Sequence, residues 1–509
     1  MPLDKKFYIN TGKDGILADT TPADVQSLVD GLPQHPKLLL HFHGGLVSKS
    51  GALASAQRLL PQYQAAGAYP VFFAWESNFI SAVSHNLHEI NKEAIFKALV
   101  KMLVKFTVGK LLDLEGGKST GQLQLPTDIE VAIELKKADN GAEPYAELSP
   151  AEKLRALNDA ERTNLEAALT NDPKFQQAVN EVVATAVPEQ AEQLQNAKGI
   201  LTVDRASAKT LMSPNVVEAV RADVEANAGK GLISTAVLIK QAGEILVQVV
   251  NRFIEKRDHG VYCTVVEEIL RQFYLANVGE SIWNMMKKET ADAFQNAGKK
   301  PERGGWFFID ALSKKIETGY NPEITLVGHS AGSIYIYHLL KYVEQACTDP
   351  DHPLPADFQF KNIILEAPAI DMLRFADMVK NLPHLFENFR MFTMNDEGEK
   401  GKAMVPVLYP RSLLYFVSGV LEKDYTNPKK LAYDQPLAGM QRYYLDEKTY
   451  DSDEIITTRN FIFADNRRVV WANENRGDGL ASAAVQHSGY AEEPQTLASV
   501  KHIVQHGWA

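Results

Sequence analysis

The 509-residue chain is expected to fold as an α/β protein, a doubly wound and mostly parallel sheet carrying a large helical insertion. Three observations lead there. Short runs that are apolar throughout, such as Leu38-Leu39-Leu40 and Val71-Phe72-Phe73, alternate with helical patterns at both ends of the chain. Strands apolar on every residue are covered on both faces, which is the condition of strands in a parallel sheet. Between residues 77 and 304 strand signals stop, and Ala, Glu, Lys, Asn and Gln take over.

The elements follow in order. Residues 5–9 read as a first strand and 22–31 as a helix, and 37–42 and 69–75 read as buried strands on either side of a helix over 52–66. The alternation resumes at residue 305: a helix over 306–316, a strand over 324–327, a helix from 333, strands over 361–365 and 389–394, and a last strand within 461–471. Residues 1–76 and 305–509 therefore form one α/β domain, and 77–304 a helical insertion or cap. Its middle is polar and broken by Pro144, Pro150, Pro173 and Pro188. Gly117-Lys118-Ser119 is not a phosphate loop, because the glycine required five residues before Gly117 is Leu112.

Composition excludes several classes. A net charge of -11 with no long basic run speaks against nucleic acid as a partner. Cys263 and Cys347 lack any spacing for a disulfide framework or a zinc site, so no metal or other cofactor is expected. The first residues carry no apolar leader core, and the chain reads as cytoplasmic. In the helix over 95–106, Lys97, Lys101 and Lys105 form a narrow basic stripe on an otherwise apolar surface. The plain reading is a helix packed in the insertion with its lysines in water; the rival is contact with a membrane surface.

Gly328-His329-Ser330-Ala331-Gly332 lies directly between a strand and a helix, where a sharp turn lifts a serine hydroxyl clear of the sheet. A serine nucleophile needs a base, an acid to stabilise that base once charged, and donors for the oxyanion. In a strand-turn-helix elbow the chain order is Ser, then Asp or Glu, then His. His487, in a loop after the last strand and before a helix near 494, is the best-placed base, with His502 behind it. Asp396, just beyond the strand over 389–394, is the preferred acid; Asp371 is the alternative, although an Asp there also suits a helix cap. For the oxyanion, His41-Phe42-His43-Gly44-Gly45-Leu46 follows a buried strand, so donors are expected from Ala331 and from Gly45 or Leu46. His43, Gly44 and His329 would line the substrate site.

Taken together, the His43-Gly44-Gly45 segment, the elbow, the Asp396 strand end and the His487 loop resemble an α/β-hydrolase-fold serine esterase or lipase over roughly residues 5–75 and 305–509. The resemblance implies an eight-stranded, mostly parallel sheet with a cap, and a triad of Ser330, Asp396 and His487. Leu46 stands where lipases of this kind usually carry a third glycine, and the insertion comes earlier in the chain than is common. The expected activity is hydrolysis of a small-molecule carboxylic ester or lipid through an acyl-enzyme. A membrane-acting phospholipase and a hydrolase-fold scaffold presenting its helical module to a partner are the rivals.

Overall fold

The computed structural model describes residues 3–34, 37–45, 48–75, 79–116, 124–148, 156–184, 211–213, 218, 236–275, 278–295, 303–349, 354–422 and 434–508. Leu46 and Gly117-Lys118-Ser119 lie outside them. The chain divides into two compact units, one of residues 1–81, 281–399 and 436–509, the other of 82–280 and 400–435.

The first unit is built on seven parallel strands: β1 (Tyr8–Thr11), β2 (Lys37–Phe42), β3 (Ala68–Trp75), β4 (Glu323–His329), β5 (Phe360–Glu366), β6 (Phe386–Thr393) and β7 (Val469–Trp471). Their order across the sheet is β1-β3-β2-β4-β5-β6-β7, which puts β4 in the centre. Burial on both faces explains the unbroken apolar runs. Leu39, Phe72, Val327, Ile364, Phe392 and Val470 pack on one face against Tyr63 of the helix Lys49–Ala65 and Ile503 of the helix Pro494–His506. Their chain neighbours Phe42 and Phe73 point the other way, onto Tyr335 and Phe308 at ring distances of 4.9–5.8 Å.

The sheet differs from expectation in three places. Residues 5–7 form a 3-10 turn, because the Asp4 carboxylate accepts the Lys6 N–H at 3.1 Å and winds the chain before β1 begins at Tyr8. Residues 453–463 are helix, held by Phe461 against Phe375 and Phe389, so β7 keeps three residues. The main sheet has seven strands among the described residues, not eight. A two-stranded antiparallel ribbon, Glu474–Asn475 with Ala481–Ser482, follows β7.

The second unit is helical among its described residues. The helix Ala94–Gly116 packs on Ala236–Ile254 and Val261–Phe273. Most of its apolar side chains, among them Phe96, Leu99, Leu103 and Phe106, are buried, Leu112 is exposed, and Lys101 and Lys105 both pair with Asp128. No helix among the described residues is long and apolar enough to cross a membrane.

Residues 400–435 belong to this unit and bring both buried apolar side chains, among them Leu414, Phe416 and Val420, and a partner in a buried charge network. Arg252, fully buried, bonds Glu268 at 2.8 Å and Glu267 at 2.7 Å, and His259 lies between Glu267 at 2.7 Å and Asp434 at 3.0 Å. Tyr409 donates to Glu267 as well. Burial opposes ionisation of Glu267, yet His259 and Arg252 outweigh it and hold the carboxyl down at about 2. A helical pattern read from 77–304 alone misses these partners, since Tyr409 and Asp434 lie more than a hundred residues further on. Removing one member of such a network strands charges in a dry interior. Arg252→Ala is expected to cost about 3–5 kcal/mol. A urea titration following hydrogen exchange in residues 236–275 checks it, and Arg252→Ala unfolding at the wild-type midpoint would refute the account.

Candidate functional site

The site is assembled at the carboxyl end of β4. Ser330 adopts φ of 53°, a left-handed conformation that costs a non-glycine residue about 1–3 kcal/mol and persists only where surrounding contacts enforce it. The contacts are present. Ser330 N–H donates to the Glu366 carbonyl at 2.8 Å, and its own carbonyl accepts from Ala369 N–H at 3.1 Å and from Ser333, whose hydroxyl also receives Ile370 N–H at 3.1 Å. The flanking glycines are required by space. A Cβ on Gly332 would overlap the Phe42 carbonyl, and one on Gly328 would lie 2.6 Å from Ile336 Cδ1.

His487 meets the serine. Its Nε2 stands 2.8 Å from Ser330 Oγ, across 157 residues of sequence. His487 opens a 3-10 helix, His487–Glu492, and its backbone carbonyl accepts from His329 Nε2 at 2.8 Å. His329 therefore holds the turn that carries His487, with the ring centroids 5.3 Å apart. Burial, and then the proximity of His329, push His487 well below the usual imidazole range, so it is neutral at neutral pH and able to accept a proton.

The Gly44-Gly45 segment lies against Ser330 and Ala331. A Cβ on Gly44 would come within 3.0 Å of Ser330 Cβ and 2.8 Å of His329 Nδ1, and one on Gly45 would lie 3.2 Å from Ala331 Cβ. Ala331 leads into the helix Gly332–Thr348, at an end where the first backbone N–H groups have no acceptor within the helix. The Gly44-Gly45 backbone and the first turn of that helix thus line one side of the serine. Met286 packs against Gly45 as well, where an added Cβ would overlap its sulfur.

His43 serves this segment by holding it in place. Its Nε2 accepts the Trp75 N–H at 3.1 Å and its Nδ1 donates to the Gly44 carbonyl at 2.6 Å, with the ring stacked 4.0 Å from the Trp75 indole. Both ring nitrogens are engaged, so His43 fixes the glycine turn and has no nitrogen left for a substrate. Burial pushes it down to about 4, which matches the neutral tautomer these bonds require.

The expected acid and the imidazole are not hydrogen-bonded to each other. Asp396 begins a short helix, Asp396–Lys400, where its backbone N–H donates to Gln441 Oε1 at 2.9 Å; it makes no hydrogen bond to His487 Nδ1, which has no hydrogen-bond partner among the described residues. The strand end turns that residue into a helix start. Asp371 caps the helix Met372–Asn381, accepting Arg374 N–H at 3.0 Å and pairing with its guanidinium. His502 lies on the helix Pro494–His506, its ring 4.8 Å from that of His506.

One group escaped the reading of the sequence. Glu366, the last residue of β5, is fully buried, neither carboxyl oxygen has a hydrogen-bond partner among the described residues, and burial pushes it up to about 8. An acidic residue ending the apolar run Ile363-Ile364-Leu365 was the available signal. No group of three or more potential metal ligands occurs among the described residues.

Comparison with protein-family models, with curated proteins and with solved structures finds no match for this chain.

Gly332→Ala is expected to lower stability by about 1–3 kcal/mol, the usual cost of forcing extra volume into a packed site, because the new methyl meets backbone that cannot swing aside. A chemical denaturation curve indistinguishable from wild type would contradict this close packing.

Proposed function

We propose that the protein is a serine hydrolase acting on a carboxylic ester, small-molecule or lipid, with the α/β sheet serving as an α/β-hydrolase-type shell. The observation that carries the reading is the 2.8 Å approach of His487 Nε2 to Ser330 Oγ on a left-handed strand-to-helix turn. A buried serine and histidine in contact also occur as structural pairs. Here the serine is strained and the histidine is held uncharged, a combination that fits a nucleophile and its base better than a packing contact.

In this mechanism Ser330 Oγ attacks the ester carbonyl carbon as its proton passes to His487 Nε2. The carbonyl oxygen becomes an oxyanion beside Ala331 N–H and the Gly44-Gly45 backbone, where fixed dipoles replace water. Collapse expels the alcohol, which takes the proton back from His487, and leaves an acyl group on Ser330. Water, deprotonated by the same imidazole, then attacks the acyl carbon and releases the acid. Within this frame the earlier departure from lipases matters little to the nucleophile, because Gly44 is the residue that lies against Ser330.

A fluorophosphonate tests the reading directly: Ser330 Oγ forms the bond to phosphorus, fluoride leaves, and His487 takes the proton. Wild type is expected to label stoichiometrically, with Ser330→Ala unlabelled and His487→Ala slower by a factor of about 10⁴ or more. Equal labelling of wild type and Ser330→Ala by intact mass would end the proposal. The pH profile has a definite sign. Because the imidazole pKa is depressed, its basic form survives below the usual histidine range, so the labelling rate should stay level from pH 8 through pH 6.5 and fall only in more acidic solution. A midpoint at or above 6.5 would contradict the buried setting of His487.

A further inference from the structure

We infer that Glu366 is the carboxylate that orients His487 and stabilises its charged form, in the place where the chain order had suggested Asp396. This rests on the hydrolase reading above.

The argument begins with the sheet. Residues two apart on a strand share a face, so Glu366 lies on the face of Ile364, and His329 on that of Val327. Both belong to the face covered by the helix Pro494–His506, which follows directly on the turn carrying His487. Glu366 and His329 are also partners in the register of β5 on β4. Glu366 is thus tied twice to the reacting pair: its carbonyl holds Ser330 N–H, and its neighbour across the ladder holds the His487 carbonyl.

Polar atoms left over in this region complement one another. His487 Nδ1, both oxygens of Glu366 and the hydroxyl of Tyr490 are buried without hydrogen-bond partners among the described residues. Tyr490 belongs to the same 3-10 helix as His487, and its phenol is pushed far up by burial and then by the charges of Glu399 and Glu366. Tyr63, on the same face, is raised by burial and by Glu366. Glu399 and Glu366 therefore both bear on the turn that carries His487, and Glu366 also on the helix that packs over the same face. Leaving such groups unpaired in a dry interior is unfavourable. An Nδ1–H to carboxylate bond would remove two of these deficits at once, and a donor to the ionised form would bring the Glu366 carboxyl down from the value that burial alone gives it, so that it is charged at neutral pH.

The tautomer requires it as well. Nε2 can accept the Ser330 proton only if the ring hydrogen sits on Nδ1, and a buried Nδ1–H needs an acceptor. Hydrogen bonds of this kind are often long in the free enzyme and close once substrate is bound. Backbone strain marks the same place: Ala367, the residue after Glu366, has φ of 42°, so the adjoining ends of β4 and β5 both carry left-handed non-glycine residues. Asp371 is committed to its cap, and Asp396 begins a helix. Glu399, buried in that short helix, is the competing carboxyl.

The test measures fluorophosphonate labelling rates from pH 6 to pH 10 in full-length wild type, E366Q, E366D, E399Q and D396N. E366Q is expected to label about 10³–10⁴-fold more slowly at neutral pH, because an amide donating to Nδ1 favours the wrong tautomer. Its rate should then climb roughly tenfold per pH unit as hydroxide replaces the disabled base, a signature that loss of packing would not produce. Should E366Q prove unstable, E366D gives a second reading: slower labelling with the wild-type pH profile. Folded E366Q or E366D reacting at the wild-type rate, or the large loss appearing in E399Q or D396N, overturns the assignment while leaving the hydrolase reading intact. Failure of Ser330→Ala to abolish labelling would instead remove the hydrolase reading itself.

Discussion

The left-handed backbone at Ser330 is the constraint on which the rest of the site depends. A side chain in that conformation is unfavourable in isolation, so neighbouring structure must hold it. The holding is done by β5 and the segment after it, through the Glu366 carbonyl and Ala369 N–H, and by Ser333 from the following helix. The parallel register of β4 on β5 is therefore more than scaffolding. It sets the two strand ends level, so that the backbone of one can hold the turn of the other. Close packing completes the arrangement, since a methyl group on Gly332 or Gly44 would occupy space already taken by Phe42 or Ser330.

Burial then sets the chemistry. His41, His43, His329 and His487 all lie near this strand end, and the low-dielectric interior pushes each below its ordinary range. Four imidazoles in one buried region would repel one another if charged. Kept neutral, they act as directional hydrogen-bonding groups, and three have visible structural duties: His41 meets Tyr63, His43 fixes the glycine turn and His329 holds the His487 carbonyl. His487 alone presents a nitrogen to Ser330.

The helical unit follows a different logic. Its interior contains Arg252, Glu267, Glu268, His259 and Asp434, a group whose desolvation is offset only while every partner is present. Two glycines are fitted to buried carboxylates there, Gly260 against Glu143 and Gly419 against Glu267, so the charges are enclosed by backbone as well as by side chains. Such an arrangement specifies which segments pair more sharply than apolar packing would, and it includes Asp434 from residues 400–435 of the same unit.

Local patterns in the sequence were enough for the strands at the centre of the sheet, the elbow and the pairing of Ser330 with His487. Strand burial is written in residue-to-residue hydrophobicity, a glycine turn between strand and helix is a five-residue signal, and His487 was singled out by its loop after the last strand. Only the tertiary structure decided that Asp371 caps a helix while Glu366 is buried at the end of β5, that His43 and His329 serve the backbone, and that a segment beyond residue 400 completes the helical unit. Those outcomes depend on which face of the sheet a side chain reaches and on which buried polar groups find partners. Both are properties of contacts between residues far apart in the chain, and neither has a local signature.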